Sequence, residues 1–176
     1  MMKRLFLYPV LSAALLTASC TDDDSFTTSR SALLTFSADT VSLDTVFSTV
    51  PTSTHTFWVY NQGKDGLRLS QVRLQRGNQS GFRVNVDGSY LDNTLGSKVN
   101  DLEIRKGDSI RVFVELTSPL NNEDTPQLVE DHLLFSLESG VEQNVCLRAY
   151  SWDAQIVSNL KIVSDTTLTS VKPILV

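Results

Sequence analysis

With 176 residues, 41% of them hydrophobic and 20% charged, the chain is long enough to bury one core. It is too ordinary in charge and apolar content for a disordered or collagen-like polymer. A formal net charge of −5 excludes the concentrated positive charge that nucleic-acid binding requires, so no nucleic-acid partner is expected. About a fifth of the residues are Ser or Thr, Val and Leu dominate the apolar set, and Ala is scarce beyond position 20. That balance favours strands over helices.

Residues 1–19 read as a signal segment. Met1-Met2-Lys3-Arg4 is a positive start, and Leu5 to Leu16 is an apolar run too short to span a bilayer. Thr17-Ala18-Ser19-Cys20 then resembles a bacterial lipobox, which implies a diacylglycerol on the Cys20 thiol and cleavage that leaves Cys20 first. The plainer alternative is an ordinary secretory peptide in which Cys20 is incidental. Asp22-Asp23-Asp24 is similar to the lipoprotein export signal of one large group of Gram-negative anaerobes. The resemblance implies an outer-membrane protein, lipid-anchored and facing the cell exterior; the bland alternative is an acidic tract that only solvates a tether. Losing Lys3 and Arg4 moves the formal charge from −5 to −7, which suits a head held off an anionic surface. Residues 20–32 are polar and aperiodic, as expected of a flexible acidic tether. Cys20 and Cys146 are the only cysteines, so with Cys20 lipidated no internal disulfide is possible.

From Leu33 the pattern changes to short alternating runs between Gly, Asn and Asp. Leu33 to Ser37 leads in, Thr40 to Val46 is a first full strand, and Thr54 to Tyr60 a second. Asn61 to Gly66 is a turn. Leu67, Leu69, Val72 and Leu74 make a third strand whose alternation slips at Ser70-Gln71, the mark of a bulge. Phe82, Val84 and Val86 alternate in a fourth. A polar loop is expected from Asp87 to Asn100, then Leu102-Glu103-Ile104, a turn over Arg105 to Asp108, and the clean alternation Ile110, Val112, Val114, Leu116. After an acidic loop from Pro119 to Glu130, Leu133, Phe135 and Leu137 pair across Glu138-Ser139-Gly140 with Val145, Leu147 and Ala149. The spacing predicts an all-β chain folded as an immunoglobulin-like antiparallel β-sandwich of seven to eight strands over residues 33–154.

The runs Leu43-Asp44-Thr45-Val46, Thr56 to Asn61 and Leu67-Arg68-Leu69-Ser70 resemble the opening of an abnormal-spindle/hydin/major-sperm-protein-like immunoglobulin domain. Arg105-Lys106-Gly107-Asp108-Ser109 with Val112 to Leu116, and the closing strand Val145 to Tyr150, resemble later segments of that family. The resemblance covers residues 33 to 154, implies a structural module, and brings no catalytic residues. The ending Tyr150-Ser151-Trp152-Asp153 is similar to surface lipoproteins in which this module precedes a right-handed parallel β-helix. Residues 155–176 are strand-like and end on Pro173-Ile174-Leu175-Val176 without a polar cap. This suggests the start of a truncated next module; the alternative is an edge strand on the sandwich.

Reactive chemistry is sparse in the sequence. The only histidines are His55 and His132, no Gly-x-Ser-x-Gly elbow or His-Glu-x-x-His occurs, and no glycine-rich phosphate loop is present. Two histidines are too few for a catalytic zinc site without a carboxylate. Asn121-Asn122-Glu123-Asp124 lacks the spaced ligand ladder of a calcium loop. The expectation is therefore no catalytic residues, no metal and no cofactor. Two surface features stand out. Burying Phe57, Val59, Val112 and Val114 turns Trp58, Tyr60 and Phe113 outward, a candidate binding face for a protein, a neighbouring module or a glycan, unless it only stiffens the sheet. Thr40, Thr45, Ser109 and Thr166 each follow an aspartate in a pattern similar to the O-glycosylation acceptor of the same bacterial group. The functional expectation is a non-enzymatic, lipid-anchored surface protein acting as stalk, adhesion or docking module. The alternative is an accessory glycan-binding part of a polysaccharide-utilisation system.

Overall fold

The computed structural model describes residues 25–176; Cys20, the predicted signal segment and Asp22 to Asp24 lie outside the described residues. The strands are β1 (Thr35–Phe36), β2 (Thr40–Phe47), β3 (His55–Tyr60), β4 (Leu67–Leu74), β5 (Phe82–Val86), β6 (Ser89–Tyr90), β7 (Lys98–Ile104), β8 (Ser109–Leu116), β9 (Gln127–Leu137), β10 (Glu142–Trp152), β11 (Gln155–Ile156) and β12 (Ile174–Leu175). One sheet has the order β1-β3-β8-β5-β6 and the other β2-β10-β9-β4-β7. Four neighbours in the first sheet and three in the second reproduce the two strand sets of an immunoglobulin sandwich. The predicted all-β, immunoglobulin-like sandwich is thus present, with β2 running parallel to β10 along one edge.

The core lies between the sheets because the two-residue period of each strand sends alternate side chains inward. Phe57 and Val59 of β3, Val112 and Val114 of β8, and Val84 and Val86 of β5 face Leu69 and Val72 of β4, Leu133 and Phe135 of β9, and Val145 and Leu147 of β10. Phe36 reaches across from β1 to Phe135, with ring centroids 5.2 Å apart. The predicted slip in β4 is real: the register with β9 shifts between Leu69 and Gln71, so that Leu69 and Val72 both point inward. A second irregularity, between β2 and β10, brings Asp44 to a positive φ of 55° and keeps Leu43 and Val46 both buried.

Two loops are more ordered than the sequence led us to expect. Asp87 and Gly88, at φ 49° and 85°, close a tight hairpin from β5 into β6 within the expected polar loop, and β7 begins at Lys98. Positive φ at both central positions is what a two-residue hairpin turn demands. Strand β9 starts at Gln127, so its first four residues, Gln127 to Glu130, lie inside the expected acidic loop. Within the predicted tether, Phe26 bridges Gly66, the Ser25 hydroxyl donates to Asp65 at 2.6 Å, and the Arg68 guanidinium lies 4.3 Å over the Phe26 ring. The expectation for residues 20–32 did not include these contacts, because an isolated phenylalanine carries no period. In the tail, β11 and β12 pair in parallel as a small sheet of their own, not as an edge strand of the sandwich.

Asp153, at the end of β10, ties this tail to the sandwich. Its buried carboxylate accepts from the Ser48 hydroxyl at 2.6 Å, from the backbone N–H groups of Asn121 and Asn122 at 3.1 and 2.7 Å, and from Lys172 Nζ at 3.4 Å. Burial works to raise this carboxyl, but the four donors outweigh it and hold the group below its ordinary value. A carboxylate held low when folded stabilises the protein above its unfolded value, and that stability is lost as pH falls through the folded value. Urea melts are therefore expected to show a fall in stability below about pH 4. Asp153→Asn should be less stable at neutral pH and show a shallower acid fall; an unchanged acid slope would contradict the assignment.

Candidate functional site

The outer face of the first sheet is built from residues whose phase in the ladder is opposite to that of the core. Trp58 sits across from Arg111 and Thr56 across from Phe113. The backbone of Trp58 is engaged by Ser37 on the β1 side, and the Arg111 carbonyl accepts from Asp87 on the β5 side. Trp58 and Arg111 therefore form a non-hydrogen-bonded rung, where facing Cα atoms approach to about 4.5 Å instead of about 5.5 Å. At that spacing the Arg111 guanidinium reaches both aromatics, 5.4 Å from the Trp58 ring centroid and 4.9 Å from that of Phe113. Trp58 remains 40% exposed.

Of the three aromatics the sequence points to, Trp58 and Phe113 are brought together, joined through Arg111. Tyr60 lies one outward rung further along, half-buried and opposite Ser109. Asn85 of β5 pairs with both Phe113 and Tyr90, which extends the aromatic row to Tyr90 on β6. Tyr90 falls within Asp87 to Asn100, where the sequence alone predicts a polar loop. The Asp87-Gly88 pair after Val86 is the signal that would have placed it on a strand. Arg83, Asn85, Tyr90, Phe113 and Glu115 line an open depression of about 240 Å³ beside the row.

Glu115 is set in that depression by Thr54, whose hydroxyl donates at 2.6 Å, and by Arg83 at 2.8 Å. The Thr54 hydrogen bond, with Arg83 behind it, holds the Glu115 carboxyl below its ordinary value despite partial desolvation. It is thus an anionic acceptor next to an aromatic wall.

The remaining predicted residues are dispersed. Thr40 and Thr45 are exposed on β2, Ser109 is half-buried on β8, and Thr166 is exposed in the tail with its hydroxyl on the Ser164 carbonyl. His55 is on β3 of the first sheet and His132 on β9 of the second. Asn121 and Asn122, in the loop that lacks a calcium ligand ladder, spend their backbone N–H groups on Asp153. A group the sequence reading did not assemble lies on the second sheet: Glu130, His132 and Cys146 offer one ligand atom each within 4.8 Å of one another. It escaped notice because its members lie up to sixteen positions apart and meet only through the β9–β10 register.

No known family model matches the chain, and no curated protein matches it. Among solved structures it is similar to a protein of unknown function from Porphyromonas gingivalis W83, at 10% identity over 76% of this chain and 51% of that one, with a TM-score of 0.47. It is also similar to the CupB6 tip adhesin from Pseudomonas aeruginosa, at 12% identity over 64% of this chain and 39% of that one, with a TM-score of 0.45. PapD-like domain 7 of human CEP192 is similar at 11% identity over 84% of this chain and all of that one, with a TM-score of 0.41. The chain spans about half the length of the first of these structures. No helix among the described residues is long and apolar enough to cross a membrane.

Exposed cation–π contacts contribute about 0.5–1 kcal/mol. A double-mutant cycle on Arg111→Ala and Trp58→Ala, read by urea unfolding, is expected to give a coupling of about that size. Strictly additive losses would mean that the guanidinium does not sit on the indole.

Proposed function

We propose that the chain is a non-enzymatic, lipid-anchored cell-surface protein whose immunoglobulin-like domain serves as a docking or adhesion module held off the membrane. The observation that carries this reading is the outer face of the first sheet. Trp58, Arg111, Phe113 and Tyr90 present apolar and cationic surface on a rigid four-strand platform, with Trp58 40% and Tyr90 49% exposed. Aromatic residues and arginine are the side chains most enriched where one protein anchors to another, because they bury much area for little lost rotamer freedom. The lipobox-like Thr17 to Cys20 supports the anchor, and the acidic tract after it supports the outer membrane and the cell exterior.

A glycan-binding role in a polysaccharide-utilisation system is the second reading, favoured by the depression next to Phe113. There Tyr90 and Phe113 supply ring faces, and Arg83, Asn85 and Glu115 supply the donors and acceptors that sugar hydroxyls require. Protease added to intact cells is expected to remove the domain, and Cys20→Ser to release it from the membrane fraction. Protection of the domain, or membrane retention of the Cys20→Ser protein, would overturn the placement. A photo-cross-linking residue in place of Trp58 is expected to capture a protein, while the same residue in place of exposed Asn144 on the other sheet is not. Equal capture at both positions would overturn docking. Retention on polysaccharide that Trp58→Ala and Tyr90→Ala abolish would decide for the glycan reading.

A further inference from the structure

We infer that Glu130, His132 and Cys146 form a binding site for a divalent transition metal of the zinc class on the outer face of the second sheet. His132 of β9 and Cys146 of β10 are direct cross-strand partners, and Glu130 is two residues from His132 on the same face. Their backbones fix the rung type. The Cys146 N–H donates to Asp39 at 3.0 Å and the His132 carbonyl accepts from Gln75 at 2.9 Å, both away from the shared ladder. The pair is therefore non-hydrogen-bonded, the closer of the two rung types, in which side chains meet most readily.

The donor set is chemically coherent. A thiolate, an imidazole and a carboxylate are the three ligand types of protein zinc sites, and three protein ligands leave a fourth position for water or an outside donor. Bonds of about 2.0–2.3 Å to a tetrahedral ion place ligand atoms about 3.3–3.8 Å apart. The present separations, all within 4.8 Å, close to that range through side-chain rotation of about 1 Å without moving the strands. The His132 imidazole has no hydrogen-bond partner among the described residues, so it is free to turn towards an ion. All three residues are half-buried, which shields the site while leaving a path for entry.

The local charges also fit a cation. On metal binding the thiol gives up its proton to solvent, and the divalent ion then lies between two anionic ligands, the Cys146 thiolate and the Glu130 carboxylate. Arg148, across from Glu130, is a single opposing charge against the two that thiolate and carboxylate supply.

The test uses the full chain carrying Cys20→Ser, so that Cys146 is the only thiol. After treatment with a chelator, titration with Co2+ is expected to show one ion per chain and a near-ultraviolet thiolate-to-cobalt band that Zn2+ displaces. Cys146→Ser should abolish the band. His132→Ala and Glu130→Gln should each weaken Zn2+ binding by more than the roughly 10–100-fold that a supporting partner of a ligand costs. His55→Ala, on the opposite sheet, should leave it unchanged. Circular dichroism checks that each variant is folded, and His132→Gln replaces any variant that is not. Absence of the cobalt band, or a band and affinity indifferent to His132, would overturn the site.

Discussion

In an antiparallel ladder wide and narrow rungs alternate, and so do the side chains that point in and out; in the β3–β8 and β9–β10 ladders the inward pairs take the wide rungs, and in the flanking β5–β8 ladder the phase is reversed. In the β3–β8 ladder the inward pairs Phe57–Val112 and Val59–Ile110 fall on wide rungs, and the outward pair Trp58–Arg111 on a narrow one. In the β9–β10 ladder the inward pair Leu133–Val145 is wide and the outward pair His132–Cys146 narrow. In those two ladders the outer faces receive the close spacing that lets unlike side chains touch.

Both candidate surfaces follow from that phase relation. On the first sheet it sets a guanidinium against two aromatic rings. On the second it sets a thiol, an imidazole and a carboxylate within coordination reach. Neither contributes much to stability, since exposed contacts of this kind are worth about 0.2–1 kcal/mol each. Stability comes from the buried aliphatic layer and from hydrogen-bonded ties such as Asp153. In the latter, a buried carboxylate is acceptable because hydroxyl, backbone and ammonium donors all converge on it. A core that owes nothing to its outer faces leaves those faces free to bind.

The strands were legible in the sequence wherever one face is buried, because burial writes a period of two. Val112, Val114 and Leu116 announce β8, and the failed alternation at Ser70-Gln71 announces a bulge that the β4–β9 register bears out. Short edge elements escaped. Strand β6 has two residues, too few to show a period, and Phe26 docks on Gly66 through one backbone bridge and one ring. The candidate face was half legible: alternation alone places Trp58 and Phe113 outward, but their meeting through Arg111 depends on cross-strand register. That register is a property of two strands, and no single run contains it. Glu130, His132 and Cys146 were invisible for the same reason, since each is ordinary within its own strand.

The phase of the two ladders is measured most directly by nuclear Overhauser contacts between α-protons, which are strong only across narrow rungs. Cross-peaks joining Trp58 to Arg111 and His132 to Cys146 are expected. A one-residue slip that paired Cys146 with Asp131 or Leu133, or Arg111 with Phe57 or Val59, would move every outward side chain discussed above and contradict the structure's central constraint.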